Sequence, residues 1–118
     1  MTSLFCLALN IYFEARGEPI DAQLLVAESA INRSIDRDQT ICEVIYDPYQ
    51  YSWTNDGRSD TPRDMQSFAV ATAIAQQAIN GDHLYSGVTH YHESSIHPHW
   101  ADSLVVLGRY GNHIFYRS

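Results

Sequence analysis

The chain has no long apolar run, so nothing in its 118 residues reads as a membrane-spanning helix. Membrane insertion is not expected. It also lacks positive charge: seven Lys and Arg stand against fourteen Asp and Glu, a formal net charge of −7. A phosphate backbone calls for a basic face, so nucleic acid is excluded as a partner. The same balance argues against simple electrostatic adhesion to anionic membranes or wall polymers, and any polyanion must be gripped locally. Cysteine is scarce, with only Cys6 and Cys42 present. Two cysteines make no disulfide framework and show no zinc spacing. Both fit buried small apolar positions, and a bridge between them is the other reading. A basic region ahead of the first apolar stretch and a small-residue cleavage site are missing, so no standard signal peptide is recognised. Tandem repeats, low-complexity segments and an interdomain linker are absent too. What remains is the composition of one globular domain, residues 1–118, expected to be a monomer.

The most informative stretch is Ile11-Tyr12-Phe13-Glu14-Ala15-Arg16-Gly17-Glu18-Pro19. Leu4, Leu7, Ala8, Ile11 and Ala15 recur at three- and four-residue steps, so one helical face points to a core. Thr2 or Ser3 can cap this helix, Gly17 reads as its C-terminal stop, and Pro19 suits the first turn of the next. Glu14 then falls in the last turn of a mostly buried helix. The macrodipole disfavours a negative charge there, and apolar neighbours would desolvate it. Both effects favour the protonated form, as a general acid requires. The plain alternative is a surface Glu paired with Arg16.

A second helix is expected from about Pro19 to Ser34, with Ile20, Leu24, Ala27 and Ile31 as its apolar stripe. Asn32 and Arg33 near its end can satisfy carbonyls or face a cleft. Thr40 should cap a short helix over 41–46, and Pro48 should break it. The alternation in 49–54 predicts a short strand or extended cleft wall. A turn-rich loop follows, with Asp60 or Thr61 capping a helix over about 63–79 that buries Phe68, Ala71 or Thr72, Ala75, and Ala78 or Ile79. Residues 88–92 read as a strand, 98–101 as a tight turn and 113–116 as a closing strand. A helix-dominated α+β domain with a small β element results.

Three clusters are candidates for chemistry. In the first, Glu14 and Glu18 would share a face if the helix ran on, imitating a two-carboxylate glycosidase pair. Gly17 and Pro19 oppose that, and Glu18 is expected to cap the second helix instead. The second is Gln50, Tyr51, Ser52 and Trp53, whose rings, amide and hydroxyl suit sugars. Strand alternation would put Tyr51 and Trp53 on one face and Gln50 and Ser52 on the other. The third is His90-Tyr91-His92, with His97, His99 and His113 downstream. Two His on one face of a strand are spaced as metal ligands can be, yet no HExxH or Cys–His pattern accompanies them. Substrate hydrogen bonds, proton handling or structural pairing are the other uses. No cofactor is expected.

The segments "IYFEARGEP", "VAESAINR", "CEVIYDPYQYSWT", "THYHESSIHPHWADS" and "GNHIFYR", in this order, resemble the SleB/CwlJ-type cell wall hydrolases, the spore-cortex-lytic enzymes and their phage and bacterial relatives. The resemblance implies a lysozyme-like, lytic-transglycosylase-like catalytic domain with peptidoglycan glycan strands as partner. It implies cleavage between N-acetylmuramic acid and N-acetylglucosamine, with Glu14, the first Glu of the EARGE motif, as general acid/base. Gln50, Tyr51, Ser52, Trp53, Thr89, His90, Tyr91 and His92 are the residues expected to hold sugars, with no metal ligand among them. Phe13 stands where a small residue such as Gly is expected, which would dry the surroundings of Glu14. Without wall-binding repeats, a prodomain or a signal peptide, the chain resembles a phage endolysin or minimal bacterial hydrolase. It would be cytoplasmic before release, or exported by another route, and would act on the cell wall. Two rivals stand beside this reading: a metal-dependent N-acetylmuramoyl-L-alanine amidase using the histidines, and a non-catalytic glycan-binding module.

Overall fold

Helix α1 (Ser3–Ala15) is buried almost all round: Cys6, Leu7, Ala8, Leu9, Asn10, Ile11, Tyr12 and Ala15 are shielded from solvent. A helix apolar on every side belongs in the middle of a core, and α1 packs there against α2 (Ile20–Arg37), α3 (Ile41–Tyr46) and α4 (Met65–Ile79). The structure is a computed structural model that describes residues 1–48, 50–81 and 86–118. The expected start and stop signals of α1 are in place. The Thr2 hydroxyl accepts from the Phe5 N–H at 3.1 Å, and Gly17 adopts φ +80° just past the end. Among the described residues, no helix is long and apolar enough to cross a membrane.

Two of the other helices need small corrections. α2 runs to Arg37 and stops on Asp38 in the left-handed region, beyond the expected end at Ser34. Its buried face is broader than the expected stripe: Ile20 is 54% exposed, Leu24 and Ile31 are partly buried against the core, and Ala22, Leu25, Val26, Ala27 and Ala30 are buried. The polar residues Gln23, Glu28 and Ser29 share that buried side, which hides its full width from a hydropathy pattern. Thr40 and Glu43 form a reciprocal capping box on α3. α4 is capped by Asp64, not by Asp60 or Thr61, because the Asp64 carboxylate reaches both the N–H and the hydroxyl of Ser67.

The expected strand over 49–54 is corrected to a 3₁₀ turn at Ser52–Thr54, with Tyr49 outside the described residues. Tyr51 O accepts from both the N–H and the hydroxyl of Thr54, which closes the backbone on itself. The tight turn near 98–101 is likewise a 3₁₀ turn, His99–Ser103. Three strands form one antiparallel sheet in the order β1 (His90–Glu93), β3 (His113–Arg117), β2 (Val105–Tyr110). Strand β2 escaped the sequence reading. It is an edge strand with Val105 and Val106 exposed and a bulge at Val106/Gly108, so it lacks clean alternation. The β2–β3 turn presses on the α1–α2 corner, where a Cβ on Gly111 would lie 2.7 Å from the Pro19 ring.

Cys6 and Cys42 are bonded, with Cα atoms 5.4 Å apart, tying α1 to α3 across 36 residues of chain. A bridge of that span restricts the unfolded chain and stabilises by about 3–4 kcal/mol. Cys42→Ser should therefore lower the urea midpoint and the melting temperature by that equivalent. An unchanged midpoint would show that the bridge adds nothing.

Candidate active site

Glu14 reaches its position because α1 ends one residue later, leaving the carboxyl at the rim of the core facing β1. Tyr91 of β1 donates its hydroxyl to Glu14 Oε1 at 2.6 Å. Burial pushes the Glu14 carboxyl above the usual carboxylate range. The Tyr91 hydrogen bond and the charges of His113 and Arg33 pull the other way without cancelling it, and Glu93 adds to the rise. Tyr91 itself is pushed well above the ordinary phenol value, first by burial and then by the neighbouring Glu14. It therefore stays a donor. The pair amounts to a carboxyl that keeps its proton late and a phenol that steadies the ionised form when it appears.

Arg33 of α2 joins the parts. Its Nε donates to Thr89 O at 2.6 Å and its Nη1 to Gln50 Oε1 at 3.0 Å, with the guanidinium 5.9 Å from the Tyr51 ring centre. Arg37 donates to the same Gln50 oxygen at 3.2 Å. With its oxygen fixed by two guanidiniums, Gln50 has its amide N–H₂ oriented as a donor. The Tyr51 hydroxyl is buried without a hydrogen-bond partner among the described residues.

Two hollows meet at Glu14. One, of about 580 Å³, is lined by Glu14, Gln50, Tyr51, Ser52, Asn55 and Asp56. The other, of about 940 Å³, also holds Glu14, Ser52 and Asp56, and adds Trp53, Phe13, Tyr12 and residues of the 56–64 loop. Phe13 stacks on Trp53 at 4.9 Å, a dry aromatic wall beside the carboxyl. Trp53 is anchored from behind by its indole N–H to Asn10 Oδ1 at 2.8 Å.

The structure thus brings together Glu14, Gln50, Tyr51, Ser52, Trp53 and Tyr91. Thr89, His90 and His92, also expected to hold sugars, do not line these two hollows. Period-two alternation that aims Tyr91 at Glu14 turns its neighbours to the other side. His90 and His92 face Trp100, at 5.2 and 5.7 Å between ring centres. His92 is also held between Tyr116 Oη at 2.7 Å and Glu93 O at 2.6 Å. The Thr89 hydroxyl pairs with His90 Nδ1, and only its carbonyl serves the site, through Arg33. Glu18 does not cap α2. Its carboxylate accepts from Asn112 N at 2.8 Å and pairs with His113 Nδ1 at 3.0 Å, binding the β2–β3 turn to the helix corner. His97 pairs with Asp102. Among the described residues no three His, Cys, Asp or Glu side chains converge as metal ligands would. Tyr12, Phe13, Asp56 and the loop arginines were missed as cleft residues, because only the return of the 56–64 loop onto α1 makes them neighbours.

Residues 17–116 match the family described as Cell Wall Hydrolase. The chain belongs to that family. Glu14 lies just upstream of the matched span. A spore cortex-lytic enzyme of Halalkalibacterium halodurans is 32% identical over a 112-residue alignment that covers 92% of this chain. The alignment covers 33% of that protein, so the chain spans about a third of this relative's length. The catalytic domain of the germination-specific lytic transglycosylase SleB from Bacillus anthracis is 26% identical, with a TM-score of 0.81 over 98% of this chain and 93% of that one. The catalytic domain of the Bacillus cereus SleB protein is 26% identical, with a TM-score of 0.78 over 98% and 90%. The fold of this family member is accordingly the lysozyme-like α+β architecture, helix-dominated with a small sheet.

The raised ionisation of Glu14 has a stability consequence with a definite sign. In the unfolded chain it ionises near pH 4.3, and in the fold it resists. Stability therefore falls as pH rises from that point through the folded value, then stays level. Glu14→Gln removes this loss while leaving a hydrogen-bond acceptor for Tyr91. The variant should melt a few degrees higher than the native chain at neutral pH, with the gap closing below about pH 4. Equal melting temperatures at both pH values would show that Glu14 ionises normally.

Proposed function

We propose that this chain is the catalytic unit of a peptidoglycan-cleaving glycosidase, with Glu14 as general acid and then base. The observation that carries this reading is a proton-retaining carboxyl at the junction of two hollows, hydrogen-bonded by a single phenol. Glycan strands would lie across the junction, with the bond between N-acetylmuramic acid and N-acetylglucosamine at Glu14. Glu14 gives its proton to the linking oxygen, and the bond breaks through an oxocarbenium-like state. The carboxylate left behind is steadied by Tyr91. It then takes the proton of the muramyl C6 hydroxyl, whose oxygen closes on C1 to leave a 1,6-anhydro end. Glu14 is protonated again and no water is consumed. Gln50 N–H₂ and Ser52 are the groups proposed to hold sugar hydroxyls and acetamides, with Tyr51, Trp53 and Phe13 as the aromatic wall.

The SleB neighbour described as a lytic transglycosylase supports this route. So does the scarcity of partner carboxylates: Glu18 is committed to the β2–β3 turn and Asp64 to capping α4. Asp56 favours a second reading, because it borders both hollows. An aspartate there can activate water, giving a muramidase with a hydrated product. An amidase finds little support, since His92, His97 and His113 are engaged with three separate partners. A pure binder has no use for a buried carboxyl that costs stability when ionised. The Cys6–Cys42 bond suits a protein working in an oxidising environment, as the cell wall is.

Digestion of purified peptidoglycan followed by mass spectrometry tests the proposal. The native chain should release muropeptides about 18 mass units (one water) below their hydrated forms. Glu14→Gln should lower that release by about 10³-fold. Normal-mass products lost in Asp56→Asn would establish the muramidase. Free stem peptides from an active Glu14→Gln protein would overturn the Glu14 mechanism.

A further inference from the structure

The larger hollow holds a feature that sugar chemistry leaves unused. Arg16, Arg58 and Arg63 all line it, three of the seven cationic residues of a chain whose net charge is −7. They come from two places, the end of α1 and the 56–64 loop, and Tyr12 holds both. Its buried phenol oxygen accepts from Arg16 Nη1, from Arg63 N at 3.2 Å and from Asp64 N at 3.0 Å. The Arg16 guanidinium also lies 4.7 Å over the Tyr12 ring. Arg16 is thereby positioned before any ligand arrives.

Asp56 and Asp64 offset part of this charge, and Arg16 acts on Asp64 across the hollow, yet neither carboxylate forms an ion pair with an arginine among the described residues. Asp64 gives one oxygen to Ser67 N and the other to the Ser67 hydroxyl, at the N-terminus of α4. Asp56 Oδ1 accepts from the Arg58 N–H at 2.9 Å. Glu14 keeps its proton late. Among the described residues, the ion pairs involve none of Arg16, Arg58 and Arg63. Three exposed arginines therefore line a concave space next to the carboxyl, and guanidinium forks match carboxylates bidentately.

We propose that this arginine arm binds the carboxylates of the peptide borne by the muramyl sugar, so that peptide-bearing strands are preferred over peptide-free ones. This rests on the reading of Glu14 as the acid acting beside that sugar. The peptide hangs from the lactyl group of the same ring, so its carboxylates are the anions closest to the bond being cut. A wall-polymer phosphate esterified at C6 is disfavoured, because it would occupy the hydroxyl that closes the anhydro ring. In an acidic protein such an arm gives the local grip that net charge denies.

The test has a binding arm and a kinetic arm. In the first, Glu14→Gln protein is titrated with a soluble muramyl peptide carrying free carboxylates, and with the same peptide fully amidated. Amidation should weaken binding about tenfold, as should adding Arg58→Gln and Arg63→Gln, and salt should erode the difference. In the second, the ratio of kcat/KM on peptide-bearing to peptide-free strands should fall about tenfold in the Arg58→Gln/Arg63→Gln variant of the otherwise native chain. Equal affinity for free and amidated peptide, or an unchanged ratio, overturns the proposal. Tighter binding of poly(glycerol phosphate) than of the muramyl peptide overturns it in favour of a phosphate polymer. Arginine-dependent peptide binding by a chain that cleaves no glycan would leave the arm standing and the Glu14 mechanism refuted.

Discussion

The hydrogen bond from Tyr91 to Glu14 joins the two halves of the molecule, and the rest of the site depends on it. One partner belongs to the last turn of the most buried helix, the other to the first strand of a small sheet. Three further polar ties hold those halves in the same relation. Asn32 donates to Val88 O, Arg33 donates to Thr89 O, and the Glu18 carboxylate accepts from Asn112. Val88 and Phe115 complete the joint from the apolar side, both fully buried in the common core. A sheet of three short strands has too little apolar face to dock by burial alone. Directed hydrogen bonds supply the register that hydrophobic contact cannot, since apolar packing is non-directional.

This arrangement explains why a destabilising residue is tolerated at the end of α1. A carboxyl at a helix C-terminus and partly out of water is unfavourable on two counts. The bonded Cys6–Cys42 pair, the capping box on α3 and the dense apolar surroundings of α1 offset it. Each lies away from the cleft. Stability thus comes from the helical side of the fold, and the proposed reactivity falls at the seam where the sheet meets it.

Much of the site was legible where local rules and function agree. A carboxylate one residue from a helix end, followed by Gly17 and Glu18-Pro19, announces both its position and its unusual environment. Capping side chains such as Thr2 and Thr40 were readable because they act within three residues of themselves. The full width of the buried face of α2 was not, because Gln23, Glu28 and Ser29 are buried with partners and look like a solvated face in a hydropathy pattern. The histidines gave no metal pattern in the sequence, and in the fold His92 and His113 take separate partners on opposite sides of the sheet region.

The sequence by itself determined the helix-rich α+β class, the net acidic charge, and the placement of Glu14 at the end of a buried helix. These follow from short-range periodicity, caps and charge counting, which operate within a few residues. Only the tertiary structure decided which side chains surround Glu14. Tyr91 lies 77 residues away along the chain, and Arg33 meets Thr89 and Gln50 from a third element. Which face of β1 meets the helix end, and which arginines the 56–64 loop returns to the cleft, depend on how separate elements pack. No local pattern encodes that, because the burial and hydrogen bonds that choose it exist only once the elements are in contact.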